Sequence, residues 1–403
     1  MGPDWSIYVR DRALRRVAQV SDFRSFEAIV KFNDVGKWTL EIDERAPEAV
    51  PLTTPGFGIQ VVSNITGNTL LTGFVDGREF THDAGKKTIL LGGVDDNVIL
   101  SWRLGHPCPY ESLPPYTTAE HHVVTGTCST VLRTYVDANL GPGANTERRM
   151  DKVVLQAADP LIGKDVTGKL RYQNLLTALQ ELAVSGGGLG FRCVQVNDQI
   201  EFQVYEPADR TATVKFSEEL GNLVGYQFRS VAPETTYVYA GGQGEGTARK
   251  IKEGQNSGER ITWGRREEFV DRRDTSDDKE LDQKITETLE DKGESGELSI
   301  TPIDTEGCAF DVHYKLGDKV TAILSSPGPT DALLPQQQAD SLYLGRKFEG
   351  GHIQEVVREV KVSMTADKQR IEPKIGTPNK QDIFRLFREF RRLAARVNNL
   401  ERR

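Results

Sequence analysis

Apolar and polar positions alternate through the first hundred residues, and the alternation predicts strands. Phe26-Glu27-Ala28-Ile29-Val30-Lys31-Phe32 is rich in strand formers, Asn33-Asp34-Val35-Gly36 supplies a turn, and Trp38-Thr39-Leu40-Glu41-Ile42 repeats with period two. A second hairpin is expected from Gly58–Val62 and Leu70–Val75 around the turn at Asn64 to Asn68. A third pairs Arg78–Thr81 with Lys87–Gly92 across Asp83-Ala84-Gly85. Short strands joined by Gly- and Asn-bearing turns point to a β barrel or sandwich over residues 1–105.

The texture changes near Leu104, where Pro107, Pro109, Pro114 and Pro115 mark an irregular passage. Val131, Leu132, Tyr135, Val136 and Leu140 then recur at helical spacing, stopped by Gly141-Pro142-Gly143. A second helix carries Leu175, Leu176, Leu179, Leu182 and Ala183, and Gly186-Gly187-Gly188 ends it because glycine tolerates the left-handed cap. The runs Gly190–Val196 and Gln199–Tyr205 flank Asn197-Asp198 as a hairpin, so 106–210 reads as an inserted α+β domain. Strands resume at Val224–Arg229 and Thr236–Ala240, and again at Val320–Leu324, Glu355–Met364 and Arg370–Ile375. These place a second β domain in 211–250 and 299–376. Between its parts, 251–298 is a charged helical insertion: Thr275 can cap a helix with Asp278 three residues on, and Leu281, Ile285 and Leu289 form one apolar stripe. The fold class expected is α+β, mostly β: two β-barrel-like domains with α+β and helical insertions.

The segment 377–403 differs from everything before it. Ile383, Leu386, Phe390, Leu393, Val397 and Leu400 follow a heptad a/d seam, which predicts a short coiled-coil helix and makes these six residues the candidate oligomerisation site. An amphipathic helix packed on its own domain is the alternative. Burial of six such side chains contributes roughly 9–18 kcal/mol gross at ~1.5–3 kcal/mol each. Ordering the backbone costs ~1–2 kcal/mol per residue. Helices this short therefore do not associate from free solution, but they clasp chains already held together, because tethering raises effective concentration. β-branched Ile383 and Val397 at a favour a dimer, whereas Phe390 at a with Phe387 and Ala394 at e widens the stripe toward larger bundles. The heptad alone leaves the number of chains open.

Composition narrows the function classes. The 403 residues suit two to four domains at ~100–200 residues each. The net charge is −8, the opposite of a general nucleic-acid binder. Residues 379–403 carry 8 basic and 3 acidic side chains, whereas 264–297 carry 7 basic and 13 acidic. No apolar run approaches the ~18 residues of a membrane helix. Cys108, Cys128, Cys193 and Cys308 form no CxxC pair and suit scattered free thiols.

Each candidate for chemistry has a plainer reading. Adjacent His121 and His122 point in different directions, and the pairs His106–Cys108 and Asp311–His313 have no further ligands nearby in sequence, so no metal site is expected. Gly242-Gln243-Gly244-Glu245-Gly246 lacks the Lys-Ser or Lys-Thr of a phosphate loop and opens no periodic helix, so it reads as a surface loop. Asp95-Asp96 and Asp277-Asp278 mimic paired catalytic carboxylates, but most charge runs are solvated faces. Trp102 and Trp263 are candidate ring platforms for a glycan, with burial as the simpler expectation. No cofactor is expected and no catalytic residue is assigned.

The order of several motifs resembles the minor tail proteins of long, non-contractile-tailed phages, which form the hub of the tail tip. They are the Phe26–Ile42 hairpin with Gly36 and Trp38, Gly92-Gly93-Val94-Asp95-Asp96, Tyr172–Phe191, Phe216-Ser217 with Gly221-Asn222-Leu223, Tyr239–Gly246, Glu267–Arg273 and Leu316-Gly317-Asp318-Lys319-Val320. That family is similar to the central baseplate hub of contractile phages. The resemblance implies a homotrimeric ring of two β barrels per subunit that meets a sixfold tube above and a threefold tip below. It also implies distal tail, tail-tube, tape-measure and other tip or receptor-binding proteins as partners, indirect contact with the host envelope, and passage of the genome without specific nucleic-acid binding. The expected location is the distal tip of the virion tail, after synthesis in the bacterial cytoplasm. The alternatives are a tail-associated cell-wall hydrolase, with Asp277 and Asp278 as its acids, and a host-receptor-binding module.

Overall fold

A computed structural model describes residues 4–83, 85–111, 114, 116–302, 305, 307–323, 352–365 and 368–376. The heptad residues Ile383 to Leu400 lie outside them. The chain is mostly β, with α-helices gathered in two insertions and two short turns of helix in the first β unit.

The first β unit contains β1 (Trp5–Arg10), β2 (Arg16–Val20), β3 (Ser25–Lys31), β4 (Lys37–Asp43), β5 (Gly58–Ser63), β6 (Thr69–Asp83) and β7 (Lys86–Asp95), with α1 (Ala49–Thr53) and α2 (Val98–Ser101). The alternation read from the sequence is the burial pattern: Phe26, Ala28 and Val30 on β3 and Trp38, Leu40 and Ile42 on β4 face inward. Asn33 turns the hairpin at φ 54°, a conformation asparagine tolerates. Its side chain also reaches the next unit, donating to the Leu189 carbonyl at 2.8 Å and accepting from the Phe191 amide at 2.7 Å. The expected second and third hairpins share one strand. β6 pairs first with β5 and then runs on beside β7, with a register shift between Val75 and Gly77 where the two predicted strands were separated.

The insertion holds β8 (His122–Thr127), α3 (Cys128–Leu140), β9 (Val153–Leu155), β10 (Asp165–Leu170), α4 (Leu175–Ser185), β11 (Gly190–Val196) and β12 (Gln199–Tyr205). Asn174 caps α4 by accepting from the Thr177 amide at 3.3 Å, and Gly187 and Gly188 leave it with φ of 105° and 83°. The inward faces of α3 and α4 meet Phe191, Ile200 and Phe202 of the β11–β12 hairpin in a core of their own. Leu14, Ile99 and Leu100 of the first unit enter that core too.

The chain continues through β13 (Lys215–Ser217), β14 (Leu223–Val231), β15 (Tyr237–Gly241), β16 (Ile251–Gln255), α5 (Ser257–Trp263), β17 (Glu267–Asp271), α6 (Asp278–Asp291), β18 (Ser295–Pro302), β19 (Lys319–Ile323), β20 (His352–Met364) and β21 (Gln369–Gly376). The strand at 237–241, grouped by sequence with the second β region, instead pairs with β16 and β17 in a three-stranded sheet. α6 closes one face of that sheet: Leu281 and Ile285 pack on Val238 and Ala240, with Leu289 partly buried, as the stripe requires. The cap differs from expectation. Asp277, not Thr275, is the N-cap residue and accepts from the Lys279 amide at 2.8 Å, while Thr275 Oγ1 accepts from the Asp277 amide.

The remaining strands join the first unit in one large sheet, ordered β14-β18-β21-β20-β3-β4-β7-β6-β5-β1-β2. β20 is its seam. Its first half pairs with β19, and its second half lies between β21 and β3, with Val360 opposite Val30 and Val362 opposite Ala28. Beneath the seam a single hydrophobic core runs from Phe26, Trp38 and Leu91 to Phe216, Ile300, Val320 and Ile375. The two β regions are thus fused edge to edge over a shared interior.

Candidate assembly surfaces and the polar junction

Two features govern what this body can do: a buried polar junction that fixes the insertion to the sheet, and the strand edges left open. Arg10 is fully buried at the end of β1. Its guanidinium forms a bidentate pair with Asp96, at 2.7 Å to Oδ2 and 2.5 Å to Oδ1, and also donates to Gln195 Oε1 of β11 at 3.1 Å. Thr72 Oγ1 donates to Asp96 and accepts from the Gln195 amide, and Arg10 stacks over Phe74 with 4.8 Å to the ring centre. Asn97 completes the junction by accepting from the Cys193 amide and donating to the Asp34 carbonyl. The hydrogen bonds that cross to the insertion run through Arg10, Thr72 and Asn97, while Asp96 holds Arg10 and Thr72 from within the first unit.

Asp95 accepts from the amides of Gly36 and Asn97 at 2.9 and 3.1 Å, yet burial pushes its carboxyl up from 3.8 to about 7. A carboxyl raised in the fold binds its proton more tightly there than in the unfolded chain. Its contribution to stability is complete below pH 3.8 and is lost as pH rises to about 7. The denaturation midpoint of the wild type should therefore fall across that interval through this group, and Asp95→Asn should flatten the fall. Urea melts at several pH values check this; parallel curves for the two proteins would show that Asp95 ionises normally.

The other candidates from sequence are separated by the fold. Asp277 caps α6, and exposed Asp278 pairs with Lys250 at 3.0 Å and Lys252 at 3.4 Å, which holds its carboxyl below the usual range, the Lys250 hydrogen bond most of all. Lys252 also meets Asp282, and Lys169 of β10 meets Glu280. Much of the charge of the acidic helix is thus met by neighbouring cations, and Asp277 and Asp278 are engaged in capping and ion pairing. The glycine loop after β15 is tied down, because the amides of Gly242 and Gln243 donate to the Lys250 and Thr275 carbonyls, both at 2.8 Å. Those donors are unavailable to a phosphate.

His106 Nδ1 accepts from the Cys108 amide, His122 sits between the rings of Tyr110 and Tyr135, and His313 Nδ1 accepts from the Ala309 amide. Among the described residues no three His, Cys, Asp or Glu side chains stand together as metal ligands, and all four cysteines are free and buried. Trp102 departs from the expected burial: 52% exposed, it leans on Phe74 with 5.7 Å between ring centres. Trp263 is half-buried and donates to Glu294 at 3.0 Å.

The sheet ends in strands without a second neighbour among the described residues, β2 at one limit of the strand order and β14 at the other. Val17 on β2 and Val224 on β14 are exposed there. β6 leaves a third edge: beyond Phe74 it has β7 on one side and no β5 on the other, with Phe80 exposed.

The profile of the Siphovirus ReqiPepy6 Gp37-like protein family matches residues 6–377. The chain belongs to that family. This Gp37-like chain is a bacteriophage protein, and its fold recurs in solved phage tail proteins. A tail protein from Neisseria meningitidis MC58 superposes with a TM-score of 0.54 at 14% identity, covering 93% of this chain and 97% of that one. The prophage tail protein gp18 from Listeria monocytogenes EGD-e gives 0.55 at 12% identity, with 94% and 96% covered. The 43 kDa tail protein of prophage MuSo2 from Shewanella oneidensis gives 0.54 at 11%, with 92% and 98% covered. At these identities the likeness is one of fold. No curated protein matches the sequence. Among the described residues of this family member, no helix is long and apolar enough to cross a membrane.

Proposed function

We propose that three copies of this chain form the hub ring at the distal end of a siphophage tail. The ring closes the tail tube, converts sixfold to threefold symmetry, anchors the distal tail and tip proteins, and gives passage to the tape-measure protein and genome. The observation that carries this reading is the fusion of two β regions across β3 and β20 over one core. That fusion makes each subunit a rigid body with two β units, of which three copies present six. Open edges at β2 and β14 support head-to-tail addition, a contact that closes into a ring when its rotation closes. The role is mechanical: rigidity comes from the shared core and the Arg10–Asp96 junction, and the overall charge of −8 disfavours adhesion of passing DNA.

Residues 379–403 act as the clasp, with Ile383, Leu386, Phe390, Leu393, Val397 and Leu400 at the seam of a three-helix bundle. Light scattering on the purified chain should give the trimer mass, and truncation after Gly376 should shift the population toward monomer at the same concentration. A monomer at all concentrations overturns the ring, whereas an unchanged trimer in the truncated chain removes only the clasp. The hydrolase alternative predicts cell-wall clearing that disappears on changing Asp277 or Asp278, residues committed here to capping and ion pairing.

A further inference from the structure

Between α2 and the loop after α3, two arginines stand together without a counter-ion among the described residues. Arg103 Nη2 donates to the Arg148 carbonyl at 3.4 Å, and Arg148 Nη2 donates to the Leu104 carbonyl at 2.7 Å and to Asn139 Oδ1 at 3.0 Å. Burial, and then the charge of Arg103, pull the Arg148 guanidinium below its ordinary value. Neither arginine forms an ion pair among the described residues, and Arg103 Nε and Arg148 Nη1 are enclosed without a hydrogen-bond partner. Two like charges with unused donors are costly to keep, and such a group calls for an explanation.

The surroundings supply one. His106 lies between two tyrosines, with ring centres 4.4 Å from Tyr116 and 5.5 Å from Tyr172, both edge-on. Burial and then the Arg148 charge lower the His106 value, which disfavours a third positive charge beside the arginines. Tyr172 is 47% exposed and is held at φ 61°, a conformation that bulky residues rarely adopt. The backbone around it is clamped, because Tyr172 N donates to the Gly105 carbonyl at 2.6 Å and Gly105 N donates to the Gln173 carbonyl at 2.8 Å. Both arginines keep part of their surface in solvent.

We propose that Arg103 and Arg148, with Tyr116 and Tyr172, form a binding site for an acidic sugar, one bearing a phosphate or carboxylate. The anion meets the part of each arginine side chain left in solvent, and its charge relieves their repulsion. The tyrosine rings offer apolar faces with polar tips to the sugar body. A nucleic acid fits less well: it needs a track of cations along successive phosphates, and this site holds two. The proposal is independent of the ring, since every residue in it belongs to one chain.

Calorimetric titration of the full chain with glucose 1-phosphate, glucuronic acid, inorganic phosphate, glucose and a short single-stranded oligonucleotide tests it. Saturable binding is expected for the two acidic sugars and none for glucose. Arg103→Gln, which removes one long hydrogen bond and leaves the Arg148 clamp intact, should weaken both sugars about tenfold. Tyr172→Asn, which suits the left-handed backbone, should weaken the sugars and leave inorganic phosphate unchanged. Circular dichroism confirms that each variant is folded. No binding by any acidic probe, or binding unaffected by Arg103→Gln, overturns the site. Equal affinity for inorganic phosphate and sugar phosphate reduces it to an anion site and overturns the sugar. Tighter binding of the oligonucleotide overturns the sugar in favour of nucleic acid.

Discussion

Asp96→Ala should cost about 3–5 kcal/mol of folding stability, because it leaves the Arg10 guanidinium charged in an interior that water does not reach. Arg10 and Asp96 have side-chain exposures of 1% and 0%, and the pair is bidentate. Removing the carboxylate also strands the Thr72 hydroxyl and leaves Gln195 Oε1 as the acceptor for Arg10. The damage should spread to the insertion, since Gln195 belongs to β11 and its amide donates to Thr72. Equilibrium denaturation in urea, followed by tryptophan fluorescence, measures the loss. The double variant Arg10→Met, Asp96→Leu should recover most of it, because an apolar pair of similar volume carries no desolvation penalty. A loss below about 1 kcal/mol for Asp96→Ala would mean that solvent relaxes around Arg10 and that the junction does not hold the units together.

The second large effect is expected where β4 pairs with β7. Trp38 is 2% exposed, lies opposite Gly93, and is among the largest fully enclosed side chains. Trp38→Ala should cost about 3–5 kcal/mol through lost transfer free energy and the cavity left behind. Gly93 makes room for the indole: a Cβ there would stand 2.5 Å from Trp38 Cζ2 and 2.0 Å from the Phe74 carbonyl oxygen. Gly93→Ala should therefore destabilise by about 1–3 kcal/mol or more through overpacking. Combining the two changes should relieve only part of that strain, because the Phe74 carbonyl remains. Strict additivity in a double-mutant cycle would show that indole and glycine do not share the space.

Local pattern made most elements legible. Period-two burial on β3 and β4, the helical stripes of α3 and α4, and the Leu281, Ile285, Leu289 face of α6 all follow from side-chain spacing, which depends on neighbours a few residues away. Where geometry bends, spacing misleads. β6 reads as two strands because the register shift between Val75 and Gly77 breaks the alternation, and the α6 cap moves to Asp277 because Thr275 serves the turn before it. The arginine pair could not be found from spacing: Arg103 and Arg148 are 45 positions apart and only the fold brings them together.

Order along the chain, element type and the single amphipathic stripe of α6 were decided by the amino-acid sequence itself, because each depends on periodicities that a linear reading contains. The tertiary structure decided that the two β regions share one core, that β15 leaves the large sheet for a small one, and that Arg10, held by Asp96, joins Thr72 and Asn97 in tying the first unit to β11 of the insertion. Those outcomes depend on which edges and charges meet after folding. Partners far apart in sequence, such as Val30 with Val360 or Arg10 with Asp96, leave no periodic trace in either segment alone.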